Sequence, residues 1–202
     1  MATKVKTPKG ELRYVFIDGE GRDQAMPGND PHMQFVCSVV LEKDSEAHKN
    51  ILAQIDEEWT AYKTANGIKP AVKPKTNGIK PVLDKETGEE TNDVLVTFKT
   101  NTVWPNGNPQ VVKVFDHKGN DITTAVHAAD WSVGNGSTGV IHGTAQGNDV
   151  GGAQKVTLYL SAVQIATLTK YEGTEIEVDE MDGEDIDLGD AVPALPADEP
   201  DL

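Results

Sequence analysis

The C-terminal segment decides how much of this chain can fold. After Lys170 there is no Lys or Arg, whereas thirteen Asp and Glu run from Glu172 to Asp201. Like charges at that density repel and stay hydrated, so the segment cannot collapse into a core. Whatever folds must come from residues 1–171. The chain of 202 residues has 18 basic and 33 acidic residues, a net charge of −15; without the thirteen tail carboxylates the first 171 residues come to −2. The chain therefore divides into a nearly balanced body, 1–171, and an acidic appendage, 172–202, expected to be disordered. A tethered polyanion can occupy a basic groove on its own body or present its tip to basic partners.

A body of this length can bury one core. Its single cysteine, Cys37, sits inside the apolar run Phe35–Leu41 and is expected to be a buried small hydrophobe. One cysteine makes no internal disulfide, which fits a reducing cytosol. The start, Met1–Lys6, has no apolar stretch of the secretory kind. Nowhere does the sequence approach the ~18 apolar residues of a membrane span, so no membrane partner is expected.

Hydrophobic periodicity gives a coarse layout. Leu12–Ile17 alternates large apolar groups and reads as a strand. Asp18–Asp30 is a loop rich in Gly and Asp. Met33–Leu41 is apolar on both faces, so it reads as a central strand. Asp44 is the expected N-cap of a helix in which Ala47, Ile51, Ile55, Trp59 and Tyr62 share a face. Asn66-Gly67 suits the helix end, since both residues tolerate positive φ. The pentad Asn-Gly-Ile-Lys-Pro then occurs twice, at 66–70 and 77–81. Between and within the copies lie Lys69, Lys73, Lys75 and Lys80 and no acid, and the prolines forbid helix and central strand. This is a basic, semi-stiff loop. Further strands are expected at Val94–Thr100, Val111–Phe115, Val140–Ala145 and Lys155–Leu168, with loops at Gly134–Ser137 and Gly147–Gly152. Short strands, many turns and one helix point to a mainly β protein, an OB-fold barrel of about five strands with one inserted α-helix.

Strand alternation sorts the side chains. Val156, Leu158, Leu160 and Ala162 face the core, which turns Tyr159 outward. Val112 and Val114 pair inward, leaving Lys113 and Phe115 outside. Val94, Val96 and Phe98 oppose Lys99, and Trp104 follows in a loop. Outward rings beside outward lysines are what a single-strand groove requires: each base has a π-face, and each ammonium group releases counterions from phosphate. The candidate groove residues are Lys99, Trp104, Lys113, Phe115 and Tyr159. By their periodicity Tyr14, Phe16, Trp59 and Tyr62 are assigned to the core; Trp131 has no assignment.

Catalytic readings find little support. Gly134–Gly139 is glycine-rich but lacks the Gly-Lys-Ser/Thr ending of a phosphate loop. Asp84-x-Glu86-x-Gly88 falls short of a calcium loop. The five histidines show no ligand spacing, and no nucleophile elbow is present. The expectation is a protein that is not an enzyme and has no cofactor or metal. Other readings of the same features are a phage virion β-domain and an acidic DNA-mimic interaction protein.

Taken in order, several blocks resemble the single-stranded DNA-binding proteins of tailed bacteriophages related to T7. They are Tyr14–Ile17, the helix leading into Ala71-Val72-Lys73-Pro74, Val96–Lys99 followed by Trp104, Val111–Asp116 with the Lys118-Gly119 turn, Gly134–Ser137, and Thr157–Leu168 followed by the acidic tail. The resemblance spans nearly the whole chain. It implies an OB-fold barrel with an added helix that coats single-stranded DNA during replication, recombination and repair, in the cytoplasm of the infected host. It implies a tail, with Asp198, Glu199, Asp201 and Leu202 at its tip, that contacts replication proteins such as polymerase and helicase-primase and competes with DNA; it also allows a homodimer. Lys99 would be a phosphate contact, Trp104 a base platform, and Lys73 or Lys69 the loop contact. Two departures stand out. The tip Thr144–Asp149 lacks the aromatic and basic residues of relatives, and the chain ends in Leu202 rather than an aromatic residue.

Overall fold

A computed structural model describes residues 2–25, 28–150 and 152–171. The acidic segment 172–202, and with it Asp198, Glu199, Asp201 and Leu202, lies outside the described residues. Five strands close a barrel: β2 (Gly10–Phe16), β4 (Met33–Glu42), β6 (Glu90–Asn101), β9 (Thr138–Val150) and β10 (Ala153–Thr167). Their order is β2-β4-β6-β10-β9, and β9 returns to β2 through the pairs Gly10–Gly139 and Glu11–Thr138. Only β6 and β10 run parallel, with Lys99 opposite Tyr159. This is an OB-fold, as the strand pattern suggested.

Smaller elements decorate the barrel. Strand β1 (Thr3–Lys6) pairs with β9, β3 (Arg22–Asp23) with β4, β5 (Ile79–Leu83) with β6, and β7 (Lys113–Phe115) with β10. A separate ribbon joins β8 (Ser132–Val133) to β11 (Lys170–Tyr171). A short helix α2 (Thr123–His127) was not expected. Strand β7 begins two residues later than predicted, and Val111 is exposed. In the β9–β10 hairpin, pairing continues to Val150–Ala153, so most of the loop expected at 147–152 is strand.

The barrel interior is filled by Leu12, Ile17, Val39, Val96, Phe98, Ile141, Leu158 and Leu160. Phe98 fits only because Gly143 faces it: a Cβ there would meet the ring at 2.7 Å and clash with the Tyr159 carbonyl oxygen. Cys37 lies among these groups, and burial pushes its thiol up to about 12.

Helix α1 (Glu46–Ala65) closes one end of the barrel with Ile51, Ile55 and Trp59. Its N-cap is Ser45, whose Oγ accepts the His48 N–H, and not Asp44. Asp44 instead has φ +62° and turns the chain out of β4, so it is one residue too early to cap. The helix also carries Glu58, which is buried against β1 and β9. Its carboxylate accepts Thr3 Oγ1–H at 2.7 Å and the Gly147 N–H at 3.2 Å. The helix ends at Asn66, and Gly67 follows at φ +64°.

Candidate nucleic-acid interface

The outer face of the barrel is set by a bulge in β2. Between Arg13 and Phe16 the register against β4 shifts, and Tyr14 takes φ +52°. Asn135 holds the kink, its Oδ1 accepting the Tyr14 N–H at 2.7 Å. One extra residue reverses the alternation that follows it. Leu12, Val15 and Ile17 therefore point inward, while Tyr14 and Phe16 stand 47% and 37% exposed. Uninterrupted alternation would have buried these two rings with Leu12, which is why they were assigned to the core; that assignment is corrected here. Trp59 and Tyr62 do belong to the core packing.

The pairing register then fixes a row across the sheet. Phe16 lies opposite Val36, Val36 opposite Lys99, and Lys99 opposite Tyr159. One row over, Arg22 opposes Gln34. Its guanidinium carbon lies 5.4 Å from the Phe16 ring centroid and 6.0 Å from that of Tyr14. Two exposed rings and a cation thus flank the central lysine.

The basic loop forms the wall beside this row. It is tied to helix α1, where Trp59 Nε1–H donates to the Val72 carbonyl at 3.0 Å and Lys63 Nζ donates to the Pro70 carbonyl at 2.8 Å. It is tied to the barrel as well. Lys75 N–H donates to the Gln154 carbonyl, Val156 N–H to the Thr76 carbonyl and Thr97 N–H to the Gly78 carbonyl. Gly78, at φ +78°, is needed where the chain crosses Leu158: a Cβ would meet that side chain at 2.8 Å. Fixing both ends of a proline-containing loop orders it before any ligand arrives.

Between wall and sheet runs an open groove of about 1390 Å³. Lys63, Lys73, Lys75, Lys80, Lys99 and Lys155 line it together with Arg13 and Arg22; Asp56 is the one acid among its lining residues. Arg13 is partly engaged by Glu11 at 2.8 Å. The amine of Lys99 is held below the usual lysine range, first by partial burial and then by the like charges of Lys155 and Lys80. A cation with no counter-charge among the described residues, set among other cations, is best satisfied by a polyanion.

The sequence-derived site residues divide accordingly. Lys99 and Lys73 line the groove, and Tyr159 pairs with Lys99 at its edge. Lys69 is exposed at the start of the basic loop, outside the groove lining. Lys113 and Phe115 lie farther along β10, opposite Ala162 and Gln164. Trp104 is exposed beyond the end of β6, in a turn closed by its own N–H to the Asn108 carbonyl, and does not line the groove. Trp131 packs partly on the core, with Lys170 Nζ 4.7 Å from its ring centroid. Residues missed from sequence are Tyr14 and Phe16, hidden by the bulge, Arg22, in a segment read as loop, and Arg13, Lys63 and Lys155. The last had a signal: it shares the outward phase of Thr157 and Tyr159.

Among the described residues no group of His, Cys, Asp and Glu is arranged to hold a metal ion. None of their helices is long and apolar enough to cross a membrane.

Several solved structures share this architecture. The gp2.5 single-stranded DNA-binding protein encoded by bacteriophage T7 superposes with a TM-score of 0.58 at 15% identity, over 87% of this chain and 98% of that one. The C-terminally truncated single-stranded DNA-binding protein from bacteriophage Enc34 gives 0.59 at 15%, over 84% and 88%. The same Enc34 protein in complex with ssDNA gives 0.56 at 13%, over 85% and 90%. No protein-family model matches the chain, and no curated protein matches it. The chain thus has the fold of the T7-like phage single-stranded DNA-binding proteins.

Proposed function

We propose that this protein binds single-stranded DNA along the groove between the basic loop and the barrel, without regard to sequence. On this reading it coats and protects transient single strands of a bacteriophage during replication, recombination and repair. The observation that carries it is the row Phe16–Val36–Lys99–Tyr159 beside a pre-ordered basic wall. Rings supply stacking of ~1–3 kcal/mol per base, and the lysines neutralise phosphates. The fold shared with the T7 and Enc34 proteins supports it. A duplex is disfavoured because its bases are already stacked on one another and cannot reach the rings. Lys99, Lys73 and Tyr159 are the central contacts, with Tyr14, Phe16 and Arg22 at one end. Lys69, Lys113, Phe115 and Trp104 take the flanking positions.

The tail is assigned two roles. Its carboxylates compete with DNA for the groove at the high effective concentration a tether provides. Its tip, Asp198 to Leu202, offers a handle to replication proteins such as polymerase and helicase-primase. The test of the central reading is a titration of oligo-dT and of a duplex of equal length, followed by tryptophan fluorescence or anisotropy. Tight binding of the single strand with weak binding of the duplex is expected. Equal affinity for both, or none for either, refutes it.

A further inference from the structure

The groove ends at the Lys99–Tyr159 pair, but the pairing register continues two basic rows beyond it. In the first, Lys99 faces Tyr159, Tyr159 faces Thr144, and Thr144 faces Lys4. In the second, Lys113 faces Ala162, Ala162 faces His142, and His142 faces Lys6. Directly opposed residues share a face, and the alternate residues Val5, Ile141 and Val163 are buried, so Lys4, Lys6, Thr144 and His142 point out of the barrel; Ala162, expected on the core face, joins their row through the register shift after Leu160 and is itself only 8% exposed. Each row spans three strand spacings, roughly 14 Å, and the rows lie roughly 7 Å apart along β9.

This stretch of surface is electrostatically one-sided. Strands β1, β7 and β10 contain no Asp or Glu, and β9 has only Asp149 at its far end. In a chain with 33 acidic residues that absence is informative. The acids at its border are Asp121, whose carboxyl is lowered chiefly by Thr123 hydrogen bonds and slightly by the charge of Lys113, Asp116 just beyond β7, and Glu46 of α1, which lines a surface hollow with Lys6. His142 stands half-buried near Lys6 and Gln164 and shares its row with Ala162 and Lys113.

We propose that a strand held in the groove crosses β10 beside Tyr159 and continues over β9 and β1, its phosphates meeting Lys4 and Lys6. The occupant is the backbone of the same single strand. The surface is continuous with the groove at Tyr159, and between Lys99 and Lys4 the register passes only Tyr159 and Thr144, neither of them acidic. This inference rests on the groove being the single-strand site.

The full-length chain and its Lys4→Gln/Lys6→Gln variant are titrated with oligo-dT from about 4 to 16 nucleotides, the span typical of one OB-fold. Both lysines are exposed and lie outside the groove lining. The shortest oligonucleotides that bind measurably should show equal affinity for both proteins. The longest should bind the variant on the order of 10-fold more weakly, with a salt slope smaller by about 1.4, two single-strand phosphate contacts. A variant with the parent's length dependence and slope overturns the track while leaving the groove intact. Equal weakening at every length also overturns it, since Lys4 and Lys6 would then act on the groove itself. A parent chain that binds no oligonucleotide overturns groove and track together.

Discussion

Replacing Phe16 with Leu and Lys99 with Gln, separately, divides the binding energy between ring and charge. Phe16 is 37% exposed, so most of the side chain packs on its neighbours and Leu keeps that packing. The change costs under ~1.5 kcal/mol of stability. It removes the π-face and with it the seat of the Arg22 guanidinium, 5.4 Å away. A lost stack is worth ~1–3 kcal/mol, so oligo-dT should bind about 10-fold more weakly. No charge changes, so that factor should be the same at 50 and 200 mM salt. Lys99→Gln removes one phosphate contact. Its slope contribution of about 0.7 predicts roughly 5-fold weaker binding near 0.1 M salt. The deficit should shrink by about 2.5-fold between 50 and 200 mM. Fluorescence anisotropy at the two salt concentrations reads both. A Phe16→Leu deficit that fades with salt as the Lys99→Gln deficit does would show that the ring is not a base platform. A Phe16→Leu protein with parental affinity would refute the row altogether.

Three further outcomes follow from the same contacts. Because burial, Lys155 and Lys80 lower the Lys99 pKa, and bound phosphate favours the protonated amine, binding takes up a proton on the alkaline side. Affinity should therefore fall as pH rises through a window below the ordinary lysine pKa, and Lys99→Gln should flatten that decline; an unchanged profile in the variant contradicts it. Removing residues 172–202 should tighten oligo-dT binding, most at low salt, whereas unchanged affinity would reduce the tail to a partner handle. In Gly147→Ala the new Cβ would sit within 2.8 Å of Tyr62 Cδ2 and closer still to two other Tyr62 carbons, lifting α1 from β9. The expected loss is ~1–3 kcal/mol, read as a lower thermal midpoint, and an unaltered midpoint argues against this packing.

Much of the barrel was legible because its strands keep a strict period. The alternation in β6 and β10 placed Val96, Phe98, Leu158 and Leu160 inside and Lys99 and Tyr159 outside, as observed. Prolines at 70 and 74 announced the loop that walls the groove, whereas Pro81, read as part of that loop, lies in the edge strand β5. The aromatic end was illegible for a physical reason. The β2 bulge depends on a hydrogen bond from Tyr14 to Asn135, 121 residues away, and no local pattern encodes a contact of that range. A one-residue phase error then moved Tyr14 and Phe16 from surface to core. Trp104 shows the opposite limit: its exposure was legible, but its position relative to the groove depends on where β6 ends and how residues 102–110 turn. The Asp44 and Ser45 error is local; either residue can cap, and the choice is made by the left-handed turn leaving β4.

The uncharged polar groups of the groove bear on what such a surface can read. Ser38 and Thr97 bond to each other at 2.9 Å, and Asn77 accepts the N–H of Ile79. Thr157 accepts from Asn148, and Gln24 donates to the Asp23 carbonyl. These side chains are partly engaged within the protein, while Thr60 and Thr76 line the groove with hydroxyls that bond to no other described residue, and the charged groups of the groove are almost all cations. Distinguishing one base from another requires donors and acceptors aimed at base edges. Ammonium groups meet the phosphates, which every nucleotide carries, and a ring stacks on any base. Under the proposed function, tolerance of sequence would rest on the engagement of these polar groups, and freeing one of them is the route by which such a groove would acquire a preference. Ser38→Ala is the direct case: it strips Thr97 Oγ1 of its partner one row along the sheet from Lys99. Oligo-dT, -dA and -dC, which bind the parent within a few-fold of each other on this reasoning, should then spread apart in affinity. An unchanged spread would mean that Thr97 is out of reach of the bases.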